Sequence, residues 1–211
     1  TALLMCSVEA ALSVGVERDR MVFPRVCTTS HETWRVAERR DLHGSPALEA
    51  AGRVALTAAG LTIDDIAHVD LYACFPSIVQ MSAAALGLDL ERPLTVTGGL
   101  GFAGSPIANS SGHAIATMVP LLREGGHGLV HANGGMATKH AFGIYSADPP
   151  AAFASLDCND DVDHQARPSG GQSDGGAEEA STVVYDREGP VQIVSAVLAP
   201  DQSRHFTIRD A

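Results

Sequence analysis

Residues 45–87 read SPALEAAGRVALTAAGLTIDDIAHVDLYACFPSIVQMSAAALG, and this stretch decides the fold class. Ser45-Pro46 is a helix start, a capping hydroxyl followed by a proline whose fixed φ suits the first helical position. From Ala47 to Ala59 the apolar residues Leu48, Ala51, Val54, Ala55 and Ala58 recur at threes and fours, which gives one buried stripe. Gly60 stops that helix. Ile66 to Ala73 reads as a strand, and Pro76 to Leu86 as a second helix that ends at Gly87. Helix, strand and helix in so short a span imply a sheet covered by helices.

The same alternation continues on both sides. Upstream, Thr1 to Met5 reads as a buried strand end, and Ser7 caps a short helix from Val8 to Val14. Met21 to Thr28 reads as a strand, with Pro24 placing it near an edge or bulge. His31 to Leu42 is charged, carries the single Trp34, and reads as a surface helix or a loop over a cleft. Downstream come a strand at Leu94 to Thr97, a Gly-rich loop from Gly98 to Asn109 and a helix from Ser111 to Leu122. Two strands follow, Gly128 to Ala132 and Ala141 to Ser146. The expected class is a layered α/β half-domain of order βαβαβαββ over residues 1–148.

After Ser146 the composition changes. Residues 149–180 are rich in Pro, Gly, Ser, Asp and Glu, which is linker chemistry because too little apolar surface is available to offset ordering entropy. Residues 181–211 hold three short strand signals around a turn at Arg187-Glu188-Gly189, the start of a small all-β module.

Composition narrows the function. The chain has 211 residues, 45% hydrophobic and 18% charged, with a formal net charge of −11. That charge argues against nucleic acid or a membrane surface as partner, and an anionic acyl-CoA would need a local basic patch. Cys6, Cys27, Cys74 and Cys158 show no metal-ligand spacing, so no metal is expected, and free thiols fit a reducing, cytoplasmic setting. No apolar run has the length of a membrane span. Thr1 opens directly into an apolar stretch, which reads as part of a longer polypeptide.

Three loops at strand ends are where an α/β protein places its ligands. They are Asp70 to Pro76, Gly98 to Pro106, and His131 to His140. Gly98-Gly99 permits positive φ and close approach to a ligand, and equally a tight connection. Gly99, Gly101 and Gly104 match a dinucleotide spacing, but the helix starts too late and no ribose-binding acid is in place. Asn133-Gly134-Gly135 reads either as a bare hairpin turn or, with His131, Lys139 and His140 beside it, as a pocket wall. His113, one turn into its helix, reads as structural or as a contact to a carbonyl or phosphate. Cys74 reads as a buried structural thiol in preference to a nucleophile.

These loops, in this order, resemble the carboxy-terminal half of the thiolase superfamily, in particular actinobacterial acetyl-CoA acetyltransferase or thiolase-like proteins. The matching motifs are Ser45-Pro46-Ala47 through Asp64-Asp65-Ile66, Phe102 to Pro106, and Asn133 to Ala141. The resemblance covers residues 1 to about 148. It implies thioester chemistry on coenzyme A esters in lipid metabolism, with no separate cofactor. Its nucleophilic cysteine lies in an amino-terminal half, which becomes an expected partner beside the acyl-CoA or other small ligand. A homo-oligomer is a further expected state.

At the positions where the family carries a water-positioning Asn, an oxyanion-hole His and a proton-transferring Cys, this chain carries Tyr72, Ser105 and Asn133. Gly104, His113, Gly135 and His140 are the implied substrate contacts. Ser105 cannot carry charge near neutral pH and Asn133 has no titratable proton, so ordinary thiolysis is expected to be impaired. Two function classes follow: altered acyl-CoA chemistry, or a thiolase fold kept as a binding or assembly module without catalysis.

Overall fold

The structure is a computed structural model that describes residues 1–105, 108–168 and 175–211. The chain divides into two compact units. The first comprises Thr1–Glu32 and His43–Asp163, the second Thr33–Leu42 and His164–Ala211.

The first unit is a mixed five-stranded sheet with helices on both faces. Its strands are β1 (Phe23–His31), β2 (Ile66–Asp70), β3 (His127–Gly134), β4 (Lys139–Ser146) and β5 (Ala154–Asp157), in the spatial order β2-β3-β4-β1-β5. β2 runs parallel to β3 and β1 parallel to β5, whereas β4 is antiparallel to both of its neighbours.

The helices are α1 (Val8–Ser13), α2 (Pro46–Ala59), α3 (Pro76–Leu86), α4 (Leu100–Ala103) and α5 (Ser110–Leu122). Ser45 caps α2 by accepting the Leu48 N–H, and Gly60 closes it at φ 69°. Leu48, Ala51 and Ala55 of α2 pack on Val26, Phe142 and Ile144 of the sheet, and α3 adds Ile78, Ala83 and Leu86 to the same core. On the opposite face Ala114, Met118 and Leu122 of α5 pack against Val130. Gly52 is what lets α2 and α3 approach: a Cβ there would lie 2.6 Å from the Leu86 side chain.

The second unit contains a three-stranded antiparallel sheet of β6 (Ala177–Tyr185), β7 (Pro190–Leu198) and β8 (Arg204–Asp210). Arg204 is its organising residue, 1% exposed. Its guanidinium grips Glu179 through Nε at 2.6 Å and Nη2 at 2.8 Å, and donates to the carbonyl oxygens of Arg39 and, at 3.1 Å, Arg40. The 33–42 segment is thereby held to β8.

The helices at 46–59 and 76–86 and the layered α/β class agree with the sequence reading. Several elements differ. Thr1 to Met5 forms no strand and is exposed. Leu94 to Thr97 is not a strand either, since the Val96 and Thr97 amides are taken by the Asp70 carboxylate. Of His31 to Leu42, His31 ends β1 and the rest is a loop with a 3₁₀ turn at Val36–Glu38, the loop of the two alternatives and not the helix. The stretch read as linker carries β5 and the first residues of β6, because Ala154–Asp157 extends the sheet beyond the edge of β1. Residues 169–174 of that stretch, and Pro106 of the Phe102–Pro106 motif, lie outside the described residues. Among the described residues no helix is long and apolar enough to cross a membrane.

Candidate functional site

Parallel pairing of β2 with β3 brings their carboxyl ends together, and the first and third loops start there. Asp70, the last residue of β2, is buried and shapes the second loop. Its Oδ2 accepts from Thr95 Oγ1 at 2.8 Å, Val96 N at 2.9 Å, Thr97 N at 3.1 Å and Thr97 Oγ1 at 2.9 Å. The two threonine hydroxyls in turn accept the Gly99 N–H at 3.1 and 3.2 Å. Gly98 and Gly99 follow at φ 80° and 76°, a turn that side-chain-bearing residues strongly disfavour.

The result is a narrow crevice of about 10 Å³, lined by Asp70, Tyr72, Gly99, Gly104, Ser110 and His131 among others. It has room for about one water molecule. Tyr72, Cys74 and Asn133 meet beside it. The Asn133 Nδ2 lies 3.8 Å from Cys74 Sγ, and Asn133 Oδ1 is buried without a hydrogen-bond partner. Burial raises the Tyr72 phenol above its ordinary value, and the Cys74 thiol adds to this by charge and by hydrogen bond. Tyr72 is therefore a neutral donor near neutral pH.

The other expected site residues lie elsewhere. Gly104 lines the crevice, but Ser105 is exposed and is not among its lining residues. His113, on α5, hydrogen-bonds the Thr1 hydroxyl. Gly135 sits in the 135–138 turn between β3 and β4 at φ 67°, two residues beyond Asn133, which is itself still on β3. His140 is 2% exposed and lies beneath the surface, so contact with a ligand would have to pass through its neighbours.

Those neighbours form a buried polar chain that the sequence reading did not anticipate. Ser82 of α3 lies 3.2 Å from His131 Nδ1, and His131 Nε2 lies 3.3 Å from His140 Nδ1. His140 Nε2 lies 3.3 Å from Ser45 Oγ, whose hydroxyl donates to Glu32 Oε2 at 2.8 Å. All five residues are at most 5% exposed. The His131 ring is also stacked on Phe142, with centroids 4.7 Å apart. Burial, reinforced by the neighbouring His140, pushes His131 down to about 3. Ser45 had been legible only as a helix cap. Glu32 and Ser82 carried no motif: Ser82 stands as a polar residue in a largely apolar helix, and Glu32 lies in a stretch already rich in charge and gave no signal.

Phe102 and Met136 do not fill this crevice, being 89% and 74% exposed. Among the described residues no group of three or more His, Cys, Asp or Glu is arranged to hold a metal ion.

Known proteins sharpen the assignment. No family model matches the chain. An 85-residue stretch is 36% identical to the acetyl-CoA acetyltransferase of Yarrowia lipolytica, covering 40% of this chain and 21% of that protein. The crystal structure of a monomeric SCP2-thiolase-like protein type 1 from Mycobacterium smegmatis superposes with a TM-score of 0.87 at 36% identity, covering 96% of this chain and 46% of that one. Both matches support membership of the thiolase superfamily. The chain spans less than half the length of either relative.

Proposed function

We propose that this chain supplies one half of a thiolase-like site that binds acyl-CoA esters in lipid metabolism, and that ordinary thiolysis there is impaired. The observation that carries the reading is the meeting of Tyr72, Cys74 and Asn133 at the ends of β2 and β3, with Asn133 Nδ2 3.8 Å from Cys74 Sγ. Thioester chemistry uses donors aimed at a developing oxyanion and a group that moves a proton. The neutral Tyr72 hydroxyl and the Asn133 amide are such donors. Asn133 itself moves no proton, so Cys74 is the titratable group within reach of both. The acyl-accepting cysteine would come from the other half of the site, outside these residues.

Ser105 offers no charge, and losing one oxyanion donor costs roughly 100- to 1000-fold in comparable enzymes. A second reading, a fold kept for binding or assembly without catalysis, is favoured by the smallness of the crevice, about 10 Å³. Calorimetric titration of coenzyme A and acetyl-CoA into the full-length protein separates the two. Saturable binding that weakens on substituting Tyr72 or Asn133 supports the acyl-CoA site, and absence of binding at millimolar ligand removes it.

A further inference from the structure

The chain from Ser82 to Glu32 has a direction, and the direction can be worked out from its carboxylate end. Glu32 Oε2 takes the Ser45 hydroxyl hydrogen at 2.8 Å and faces the Ala47 N–H at 3.4 Å. A hydroxyl has one hydrogen to give. Ser45 Oγ has spent it on Glu32, so toward every other neighbour it is an acceptor, as it is toward the Leu48 N–H at 3.3 Å. His140 Nε2, 3.3 Å from the same oxygen, must then carry the hydrogen.

A neutral imidazole with its proton on Nε2 has an acceptor at Nδ1. His140 Nδ1 faces His131 Nε2 at 3.3 Å, so that nitrogen is the donor. The other nitrogen of His131, Nδ1, becomes an acceptor, and the Ser82 hydroxyl 3.2 Å away supplies its hydrogen. Every link points toward Glu32.

We propose that Glu32 is a positioning residue that acts through Ser45 and His140 to fix the tautomer of His131 at the crevice, with both imidazoles carrying their proton on Nε2. Glu32 is not among the residues that line the crevice. It plays the part that carboxylates play behind functional imidazoles elsewhere, setting which ring nitrogen holds the proton and which way the ring dipole lies. The low value of His131, about 3, agrees with a ring that stays neutral. The fold supports the same geometry. His131 and His140 sit on the adjacent strands β3 and β4, Ser45 is fixed as the cap of α2, and Ser82 lies on α3. The acyl-CoA reading enters only in naming what the crevice is for.

The test is ¹⁵N–¹H correlation of the imidazole rings in the intact protein labelled at histidine, at neutral pH and without ligand. The wild-type spectrum is expected to show His131 and His140 as pure Nε2–H tautomers. A proton on Nδ1 of either ring, alone or as imidazolium, overturns the proposal, and this outcome needs no variant to fold. Ser45→Ala and Glu32→Ala are expected to release the lock, so that Nδ1–H forms appear in both rings. Ser45→Thr keeps the hydroxyl and is expected to restore the wild-type pattern. Ser82→Ala, at the far end, is expected to leave both tautomers in place. If Ser45→Ala and Ser82→Ala shift the rings equally, the order does not originate at Glu32 and the proposal fails. Because no acyl-CoA is present, the result stands apart from the calorimetric test of the site.

Discussion

At the scale of single residues, His131 links stability to pH. Folding holds it at about 3 against an ordinary value of 6.5. Between those values the unfolded chain binds a proton that the folded chain refuses, so stability rises with pH across that window. It is complete above about 6.5 and is lost as pH falls toward 3. Urea unfolding followed from pH 7 to pH 4 should therefore show a steep fall in stability, and His131→Gln should flatten it. A slope unchanged in that variant would assign the acid sensitivity to carboxylates instead. Cys74 carries a prediction of another kind. If the site turns over an acyl-CoA, Cys74→Ala should lower the rate by about 100-fold, as expected for loss of a proton-transfer group, with a smaller effect on ligand affinity. Equal rates would remove Cys74 from the chemistry.

At the scale of elements, the packing of α2 against α3 hangs on one position. A Cβ at Gly52 would meet the Leu86 Cδ2 at 2.6 Å and a Phe142 ring carbon at 3.6 Å. Gly52→Val should cost about 1–3 kcal/mol, the usual penalty for overpacking, read as a lower denaturation midpoint. Gly52 was invisible as a contact in the sequence, although the helix containing it was legible from Ser45-Pro46, the apolar stripe and Gly60. Such signals are local, and over 45–60 they agree with the structure. The strand expected at Leu94–Thr97 failed because its apparent β-character hid a non-local fact, the Asp70 carboxylate taking the backbone donors. The relay behind the crevice was illegible for the same reason. Glu32, Ser45, Ser82, His131 and His140 come from five places in the chain, and only the fold brings them into line.

At the scale of the molecule each unit carries its own dependence. In the second unit Arg204 is buried and pairs with Glu179, which is partly exposed, while its other donors hold backbone carbonyls of the 33–42 segment. Arg204→Ala removes a donor from the Arg39 and Arg40 carbonyls, the latter still held by Arg167 Nε at 2.8 Å, and should cost about 1–3 kcal/mol within that unit, seen as faster amide exchange across Val36–Arg40. Arg204→Lys cannot reproduce the fork and should rescue little of it.

In the first unit the exposed apolar residues cluster. Leu4 is 95% exposed, Met5 77% and Val14 77%, and a cavity of about 490 Å³ opens among Leu4, Met5, Val8, Met21, Phe23 and Val119. Scattered exposed apolar side chains are ordinary, but a contiguous set beside an apolar cavity is a candidate contact surface. The matched thiolase-like structure is about twice as long as this chain, and we propose a further thiolase half as the body that would cover that surface. Without it, the chain should self-associate in sedimentation velocity as its concentration rises. A Leu4→Glu, Met5→Glu double variant should suppress that association, because the charges cannot be buried without a partner. A wild-type chain that sediments as a single monomer throughout would mean that the cluster needs no cover, and the idea of a missing half seated there would fail with it.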